Sequence, residues 1–191
     1  MKNPLIETRR LSLRPFIRQD IDDLHRHWTD REMRKYLWDD QIISRETAAE
    51  IVERSLETFK EDGFGFWIVS LKSEPSLVGF CGLRYFTDTE GSNSEVEILY
   101  GIGSGQCGKG LATEAAAAVL RYGFEESKLE RIYAGADPPN AASFRVMEKL
   151  GMKYAQRMTI NGVVAIYFVI GRESFQYDNL SYQLEIDRTV G

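Results

Sequence analysis

The sequence predicts an α+β domain in which a mixed β-sheet carries helices on both faces. Segments that alternate like strands occur in runs, and segments with helical spacing are inserted between these runs. This order differs from the regular strand–helix alternation of a parallel α/β protein. A chain of 191 residues suits one domain with one core. We assign residues 1–177 to this domain and residues 178–191 to a polar, loosely held C-terminal tail.

The first half of the chain contains three predicted strands and two predicted helices. Residues 11–16 alternate like a strand, and Asp20 then begins a segment with helical spacing of its apolar residues. Ser44 begins a second, longer helix. Residues 64–71 and 77–86 are predicted to pair as strands, because a turn-like segment of polar residues and one proline joins them.

The second half of the chain supplies the rest of the sheet and two further helices. The predicted strands are 95–102, 131–136, 152–160 and 163–170, and the predicted helices are 111–124 and 141–150. Alanine makes the first of these helices a strong helix former, and Gly151 ends the second. The pair Asn161-Gly162 is a strong turn signal, so the last two strands are predicted to form a hairpin.

Composition excludes several classes of function. The chain has 24 Lys and Arg against 29 Asp and Glu, a formal net charge of −5, which argues against general nucleic-acid binding. The two cysteines show neither a disulfide framework nor a metal-ligand spacing, and no metal site is expected. We expect no signal peptide, and no apolar stretch approaches the roughly 20 residues that span a bilayer. A cytoplasmic protein that does not bind membranes is therefore expected.

Residues 101–112 form a glycine-rich turn between a predicted strand and a predicted helix. The first turn of a helix has unpaired N–H groups and the positive end of the helix dipole. Glycines allow an anion to approach these amides closely, so the turn predicts a phosphate site. A turn that needs glycine only for its backbone conformation is the alternative.

Two familiar phosphate motifs fit this turn poorly. The spacing of Gly103, Gly105 and Gly108 matches a dinucleotide fingerprint, but it lies past the middle of the chain, with too little sequence left for two mononucleotide halves. A P-loop would need Ser or Thr after Lys109 to hold magnesium, and Gly110 stands there.

A third pattern carries a resemblance to a known family. The segment Gly108-Lys109-Gly110-Leu111-Ala112-Thr113-Glu114-Ala115 resembles the pyrophosphate-binding segment of the GCN5-related N-acetyltransferase (GNAT) superfamily. Its core signature is Arg/Gln-x-x-Gly-x-Gly/Ala, whose last two fixed positions are Gly110 and Ala112 here. The first position is Cys107, which departs from the signature. Because backbone amides make most contacts of this segment, the departure affects only a side-chain role at that position.

A second motif strengthens the resemblance. Residues 140–152, Asn-Ala-Ala-Ser-Phe-Arg-Val-Met-Glu-Lys-Leu-Gly-Met, resemble the helix beside the pantetheine arm in the same superfamily. They are most similar to the branch that includes ribosomal-protein N-terminal acetyltransferases. Residues 8–15 and 28–30 are similar to the opening of that branch, so the resemblance spans about residues 5–175. Taken alone, the helix is also explained as a capped amphipathic helix with an apolar face.

The resemblance implies a mostly antiparallel central sheet whose two central strands, residues 95–102 and 131–136, splay apart to admit acetyl-CoA. Backbone groups of the first strand would pair with the pantetheine amides, and amides of the glycine turn would hold the pyrophosphate. The implied cofactor-binding residues are Leu99, Tyr100, Gly101, Ile102, Cys107, Gly108, Lys109, Gly110, Leu111, Ala112, Thr113, Asn140 and Ser143.

Transfer from the thioester to an amine needs a base for the amine and an acid for the leaving thiolate. Glu97 is the candidate base, because relatives often carry an acid at this strand position; a salt-bridged strand residue is the alternative. Many relatives place a tyrosine acid where this chain has Met147, so Ser143 is the acid candidate, with helix capping as the alternative. A nucleophilic role for Cys107 is not expected.

The acceptor is left open by the sequence. The resemblance implies a primary amine, either a protein N-terminus, as on a ribosomal protein, or a small molecule such as a polyamine, amino acid or antibiotic. A non-catalytic acyl-CoA-binding module is the alternative outside the enzyme class, and a homodimer is compatible with the resemblance. His25 and His27 lie on the first helix, on the acceptor side in this branch, and the three tryptophans are expected mainly in the core.

Overall fold

The computed structural model describes residues 3–87, 94–160, 163–176 and 181–187. Within these residues the chain forms nine strands and five α-helices. The strands are β1 (Asn3–Glu7), β2 (Leu11–Pro15), β3 (Phe66–Leu71), β4 (Glu74–Thr87), β5 (Ser94–Ile102), β6 (Arg131–Ala136), β7 (Lys153–Ile160), β8 (Val163–Gly171) and β9 (Gln183–Asp187). The helices are α1 (Ile21–Thr29), α2 (Arg31–Leu37), α3 (Arg45–Glu61), α4 (Leu111–Glu125) and α5 (Ala141–Lys149).

All described strands belong to one sheet with the order β7-β8-β6-β5-β4-β3-β2-β1-β9. Every neighbouring pair in this order is antiparallel except β5 and β6, which run parallel. The predicted mixed, mostly antiparallel sheet is therefore confirmed.

Apolar side chains cover both faces of the sheet. On one face, the alanines of α4 are buried against β4, β5 and β6, because small side chains let the helix approach the sheet closely. On the other face, a second cluster around Phe16, Trp28 and Phe80 packs the sheet against α1 and α3. The prediction of helices on both faces is confirmed.

The two central strands separate soon after they meet. β5 and β6 share one matched residue pair, Glu97 with Tyr133. By contrast, β4 and β5 pair continuously, from the Gly79–Ile102 pair to the Thr87–Ser94 pair. β6 pairs with β8 along its whole length. The sheet is therefore continuous on both sides of the β5–β6 junction and opens at its centre, as the predicted splay requires.

Several elements differ from the sequence expectation. The tail expected from residue 178 contains β9, which forms the edge of the sheet and pairs with β1, and neither β1 nor β9 was predicted. Both are short, and they lie more than 170 positions apart in the chain, so local patterning carries little signal for their pairing. The helix α2 was also missed; the Asp30 side chain caps it by accepting from the Glu32 amide at 3.1 Å.

The predicted hairpin of the last two long strands is observed as the antiparallel pair β7–β8, while its turn, Asn161-Gly162, lies outside the described residues. β4 begins at Glu74, which makes the preceding turn shorter than predicted. In the described part of the chain, no helix combines the length and apolar character needed to cross a bilayer.

Candidate active site

The opening between β5 and β6 leads into a cavity of about 870 Å³. Its lining comes from the end of β5, the glycine turn, the first turns of α4 and α5, and the segment around α2. Of the site residues predicted from the sequence, the following line it: Glu97, Leu99, Tyr100, Gly101, Ile102, Cys107, Gly108, Gly110, Leu111, Ala112, Thr113, Asn140 and Ser143. One cavity thus brings together two motifs that are about 30 residues apart in the chain.

The glycine turn presents backbone amides to one end of this cavity. Gly108 and Gly110 have φ angles of +76° and +77°, a conformation that strongly favours glycine, and Gly110 is the N-cap of α4. No side chain caps α4, whereas side chains of Ser44 and Asn140 cap α3 and α5. The first amides of α4 are therefore left for another acceptor, such as a phosphate.

Side chains behind the turn hold it in place. The Arg10 guanidinium donates to the Lys109 carbonyl oxygen at 2.9 Å and to the Glu114 carboxylate at 2.6 Å. Glu114 also accepts from the Thr8 hydroxyl at 2.7 Å and from the Arg10 amide at 2.9 Å. Burial acts to raise the pKa of Glu114, but these donors outweigh it and lower the pKa, so the carboxylate stays charged. Arg10 therefore ties the glycine turn to β2 and α4.

The first turn of α5 forms the opposite wall. The Asn140 side chain accepts from the Ser143 amide at 3.2 Å and so caps the helix. The capping role considered for the Ser143 side chain is therefore wrong, because the cap is Asn140 and Ser143 supplies the capped amide. The Tyr100 hydroxyl crosses from β5 and donates to the Ser143 carbonyl oxygen at 3.3 Å. This bond links the two sides of the opening.

Glu97 lies where the strands begin to part. It is 4% exposed, and its Oε1 accepts from Arg84 Nε at 2.8 Å and Arg84 Nη2 at 2.7 Å. Burial raises the pKa of Glu97, while the Arg84 charge and a hydrogen bond from Tyr167 act in the opposite direction. Burial is the largest of these effects, so the carboxyl group takes up a proton more readily than an exposed glutamate does. A pKa shifted this way suits a group that accepts a proton near neutral pH.

Two further carboxylates line the cavity. Asp39 follows α2 and Asp137 follows β6, and both line the cavity. Burial, and then the charge of Asp39, raise the pKa of Asp137, which shows that the two groups lie near each other. The space beside these two carboxylates therefore favours positive charge.

Other predicted residues take structural positions. Lys109 does not line the cavity; its ammonium group folds back on the Gln106 side chain at 2.7 Å. Met147 is buried in the main core, so the expected tyrosine position of the second motif is a core position here. The Cys107 thiol donates to carbonyl oxygens of the turn, at 3.4 Å to Ile102 and 3.5 Å to Gly103.

The histidines and tryptophans lie away from this cavity. His25 Nε2 is 3.0 Å from the Ile43 carbonyl oxygen, and burial lowers the pKa of His27. Trp28 and Trp67 are core residues, and the Trp38 ring packs against Trp28 with centroids 6.2 Å apart. The expectation of core packing is confirmed for Trp28 and Trp67, while Trp38 is half-buried against the second cluster.

Sequence reasoning missed Arg84 and Tyr167. Both line the cavity and contact Glu97, but neither is near Glu97 in the chain. Arg84 lies opposite Glu97 in the β4–β5 register, so a cross-strand charge pair would have been the available signal once that register was known. Tyr167 enters from β8, two strands away, and has no local signal.

Comparison with known proteins places this site in a family. The model of the acetyltransferase (GNAT) domain matches residues 10–153. The chain belongs to this family. The acetyltransferase is 33% identical over 149 residues to the uncharacterized N-acetyltransferase YnaD of Bacillus subtilis, covering 78% of this chain and 82% of that one.

Solved structures agree with this family. A GNAT-family acetyltransferase from Bacillus anthracis superposes with a TM-score of 0.71 at 28% identity, over 88% of this chain and 99% of that one. RimL, a ribosomal L7/L12 α-N-protein acetyltransferase solved with coenzyme A, has a TM-score of 0.67 at 15% identity, over 86% and 98% of the chains. The latter shows a common fold alone. The superfamily prediction is confirmed, and the ribosomal-protein branch stays a prediction.

Proposed function

We propose that the acetyltransferase moves an acetyl group from acetyl-CoA to a primary amine that approaches as a cation. One observation carries this proposal: the single cavity at the β5–β6 opening has uncapped helix amides at one end and the buried Glu97 carboxylate at the other. An extended, phosphorylated thioester would bind along this cavity with its reactive end near a base.

The donor would be held mainly by backbone groups. Residues 99–102 of β5 lack a matched partner on the β6 side, so their free edge is available to pantetheine amides in the manner of an added strand. The amides of residues 108–112 would hold the pyrophosphate at the N-terminus of α4. Asn140 and Ser143 would contact the pantetheine and thioester end from α5.

Glu97 would accept the proton of the amine. Its carboxylate lines the cavity, and the Arg84 bonds fix its orientation through one oxygen. The acceptor ammonium group would first lose one proton to solvent. The neutral amine would then attack the thioester carbonyl carbon and give a second proton to Glu97, and the CoA thiolate would leave.

The pair of carboxylates formed by Asp39 and Asp137 supports a cationic acceptor. Asp39 and Asp137 would attract an ammonium group toward the site before it loses its proton. A protein N-terminus and a small polyamine or antibiotic both offer such a group, so the acceptor panel below separates them.

Ligand-dependent melting tests donor binding. Acetyl-CoA at a hundredfold excess over its Kd should stabilise the protein by about 2.7 kcal/mol, which raises Tm by several degrees. NAD and ATP with magnesium should give no comparable shift. A larger shift with NAD would contradict the assignment of the cavity to CoA.

Thiol release from acetyl-CoA tests the reaction. The panel should include spermidine, kanamycin, free amino acids and short peptides with free N-termini. If thiol is released with only one class of acceptor, that class contains the substrate. A melting shift without release from any acceptor would indicate a CoA-binding module and would contradict the proposed transfer.

A further inference from the structure

Met147 has no proton to donate to the leaving thiolate, so the acid must come from another side chain of this cavity. Tyrosine hydroxyls are the candidates. Among the described residues, Tyr36, Tyr100 and Tyr167 line the cavity. The Tyr100 hydroxyl is engaged with Ser143, and the Tyr36 ring lies under the Lys35 ammonium at 4.9 Å from the ring centroid. The strand registers put Tyr167 on the same sheet face as Glu97, with its hydroxyl group toward that carboxylate. Tyr167 is thus the cavity tyrosine that is coupled to the candidate base.

The packing of Tyr167 fixes its hydroxyl on that carboxylate. The residue is 6% exposed, and its ring stacks on Phe86 with centroids 5.1 Å apart and an interplanar angle of 12°. On the other side it covers Gly135, where a β-carbon would lie 2.8 Å from Tyr167 Cζ. A ring held between an aromatic ring and a glycine backbone keeps its hydroxyl in place without rearrangement.

We propose that Glu97 and Tyr167 form a relay that carries one proton from the attacking amine to the departing CoA thiolate. The inference rests on the proposed function. In the first step of this relay, the amine nitrogen forms a bond to the carbonyl carbon and gives one proton to Glu97. The carbon–sulfur bond breaks, Tyr167 gives its phenolic proton to the sulfur, and Glu97 returns its proton to Tyr167. Both side chains end in their starting states, and the products are an amide and CoA thiol.

The order of these transfers follows from the charge on Glu97. Burial raises the pKa of Tyr167, and the negative Glu97 carboxylate raises it further. When Glu97 takes up the proton of the amine, that negative charge disappears and the Tyr167 hydroxyl becomes a stronger acid. Tyr167 is therefore a poor donor before the attack and a better one as the thiolate forms.

This assignment changes the role expected for Ser143. Its amide is bound by the Asn140 cap and its carbonyl oxygen accepts from Tyr100, so Ser143 fixes the α5 side of the opening. Tyr167 takes the acid role, and Ser143 remains a binding residue for the donor.

The test compares Tyr167→Phe with Tyr133→Phe, using acetyl-CoA and the acceptor from the panel that releases thiol fastest. Tyr133 lies on the neighbouring strand and packs against the same Phe86 ring, but it does not line the cavity. Tyr167→Phe should lower kcat by roughly 10²-fold, the lower end for acid–base catalysis, because a thiolate is a stable leaving group. The KM for acetyl-CoA and the Tm should stay near wild type, and Tyr133→Phe should keep full activity.

A second variant separates proton donation from packing. Trifluorotyrosine at position 167 keeps the ring but makes its hydroxyl more acidic. The relay predicts a decline of kcat at alkaline pH that wild type lacks, because the donor loses its proton there. This variant also decides the question if Tyr167→Phe fails to fold: an unchanged alkaline profile overturns the relay.

The outcomes also separate this inference from the proposed function. Full activity of Tyr167→Phe, with wild type active, would overturn the relay and leave acetyl transfer intact. Wild type that releases no thiol with any acceptor would overturn both. In the double variant of Glu97→Gln and Tyr167→Phe, the loss should be no greater than for Glu97→Gln alone, because the two residues act as one unit. Independent, multiplying losses would count against a relay.

Discussion

The two ends of the cavity are built in different ways. At the donor end, the glycine turn and the first turn of α4 offer backbone amides, and the surrounding residues are largely exposed. At the reaction end, the carboxylate of Glu97 is buried and held by side chains from β4 and β8. The donor end depends on the backbone conformation, and the reaction end depends on which side chains the fold brings together.

This contrast explains which substitutions each end tolerates. Cys107 stands where the family signature has Arg or Gln, yet Gly108 and Gly110 keep the positive φ angles that shape the turn. Backbone contacts need only the right conformation, so one unusual side chain changes little. At the reaction end, a single atom replaced on Glu97 removes the proton acceptor. Substitutions at the two ends should therefore separate binding from chemistry.

The largest effect is expected for Glu97→Gln, which keeps the size of the side chain and removes its basicity. If Glu97 is the base, kcat should fall by roughly 10²–10⁴-fold. Binding of acetyl-CoA, measured by calorimetry, should change little, because Glu97 lies at the end of the cavity away from the glycine turn. Near-normal activity would make Glu97 a structural partner of Arg84.

The dependence of activity on pH tests the role of the Glu97 carboxyl group independently. Activity should rise with pH as Glu97 ionises, and burial should place this rise above the usual glutamate pKa of about 4.3. Arg84→Met removes a positive charge that lowers the pKa, so the rise should move to higher pH. A rise that moves to lower pH in this variant, or persists in Glu97→Gln, would show that another group controls it.

An intermediate effect is expected for Gly110→Asp, which places a negative charge and a side chain at the N-terminus of α4. The affinity for acetyl-CoA should fall roughly 10- to 100-fold, through charge repulsion and blocked approach to the amides. Calorimetry measures the change.

Two controls accompany this change: Gly110→Asn, which places an uncharged side chain of the same shape at the same positive φ angle, and Gly105→Asp. The second introduces the same side chain in the same turn, where a β-carbon meets no atom within 4 Å, and Gly105 does not line the cavity. Its affinity should stay close to that of wild type. Equal losses for the two aspartate variants would show that charge near the turn, rather than contact at Gly110, weakens binding.

The smallest effect is expected at the cap of α5, where two neighbouring polar residues differ in role. Asn140→Ala removes the side chain that accepts from the Ser143 amide, so the free energy of unfolding should fall by about 1 kcal/mol. Ser143→Ala leaves that bond in place, and its change should stay below about 0.5 kcal/mol. Urea unfolding measures both, and the reverse order would contradict the assignment of the cap to Asn140.

Features that depend on neighbouring residues could be predicted from the order of the amino acids. Alanine content and end signals predicted α4 and α5, alternation predicted most of the long strands, and glycine spacing predicted the turn at the N-terminus of α4. These features could be predicted because helix periodicity, strand alternation and positive φ angles are set within a few residues.

Contacts between distant residues could not be predicted in this way. β1 and β9 pair across most of the chain, and Glu97 meets Arg84 and Tyr167 only through the registers of β4 with β5 and of β6 with β8. Met147 shows the same dependence, since the sequence places it at a tyrosine position of the motif and the packing of α5 places it in the core. A contact between distant residues follows from the register and the packing of whole elements, and no short stretch of sequence contains that information.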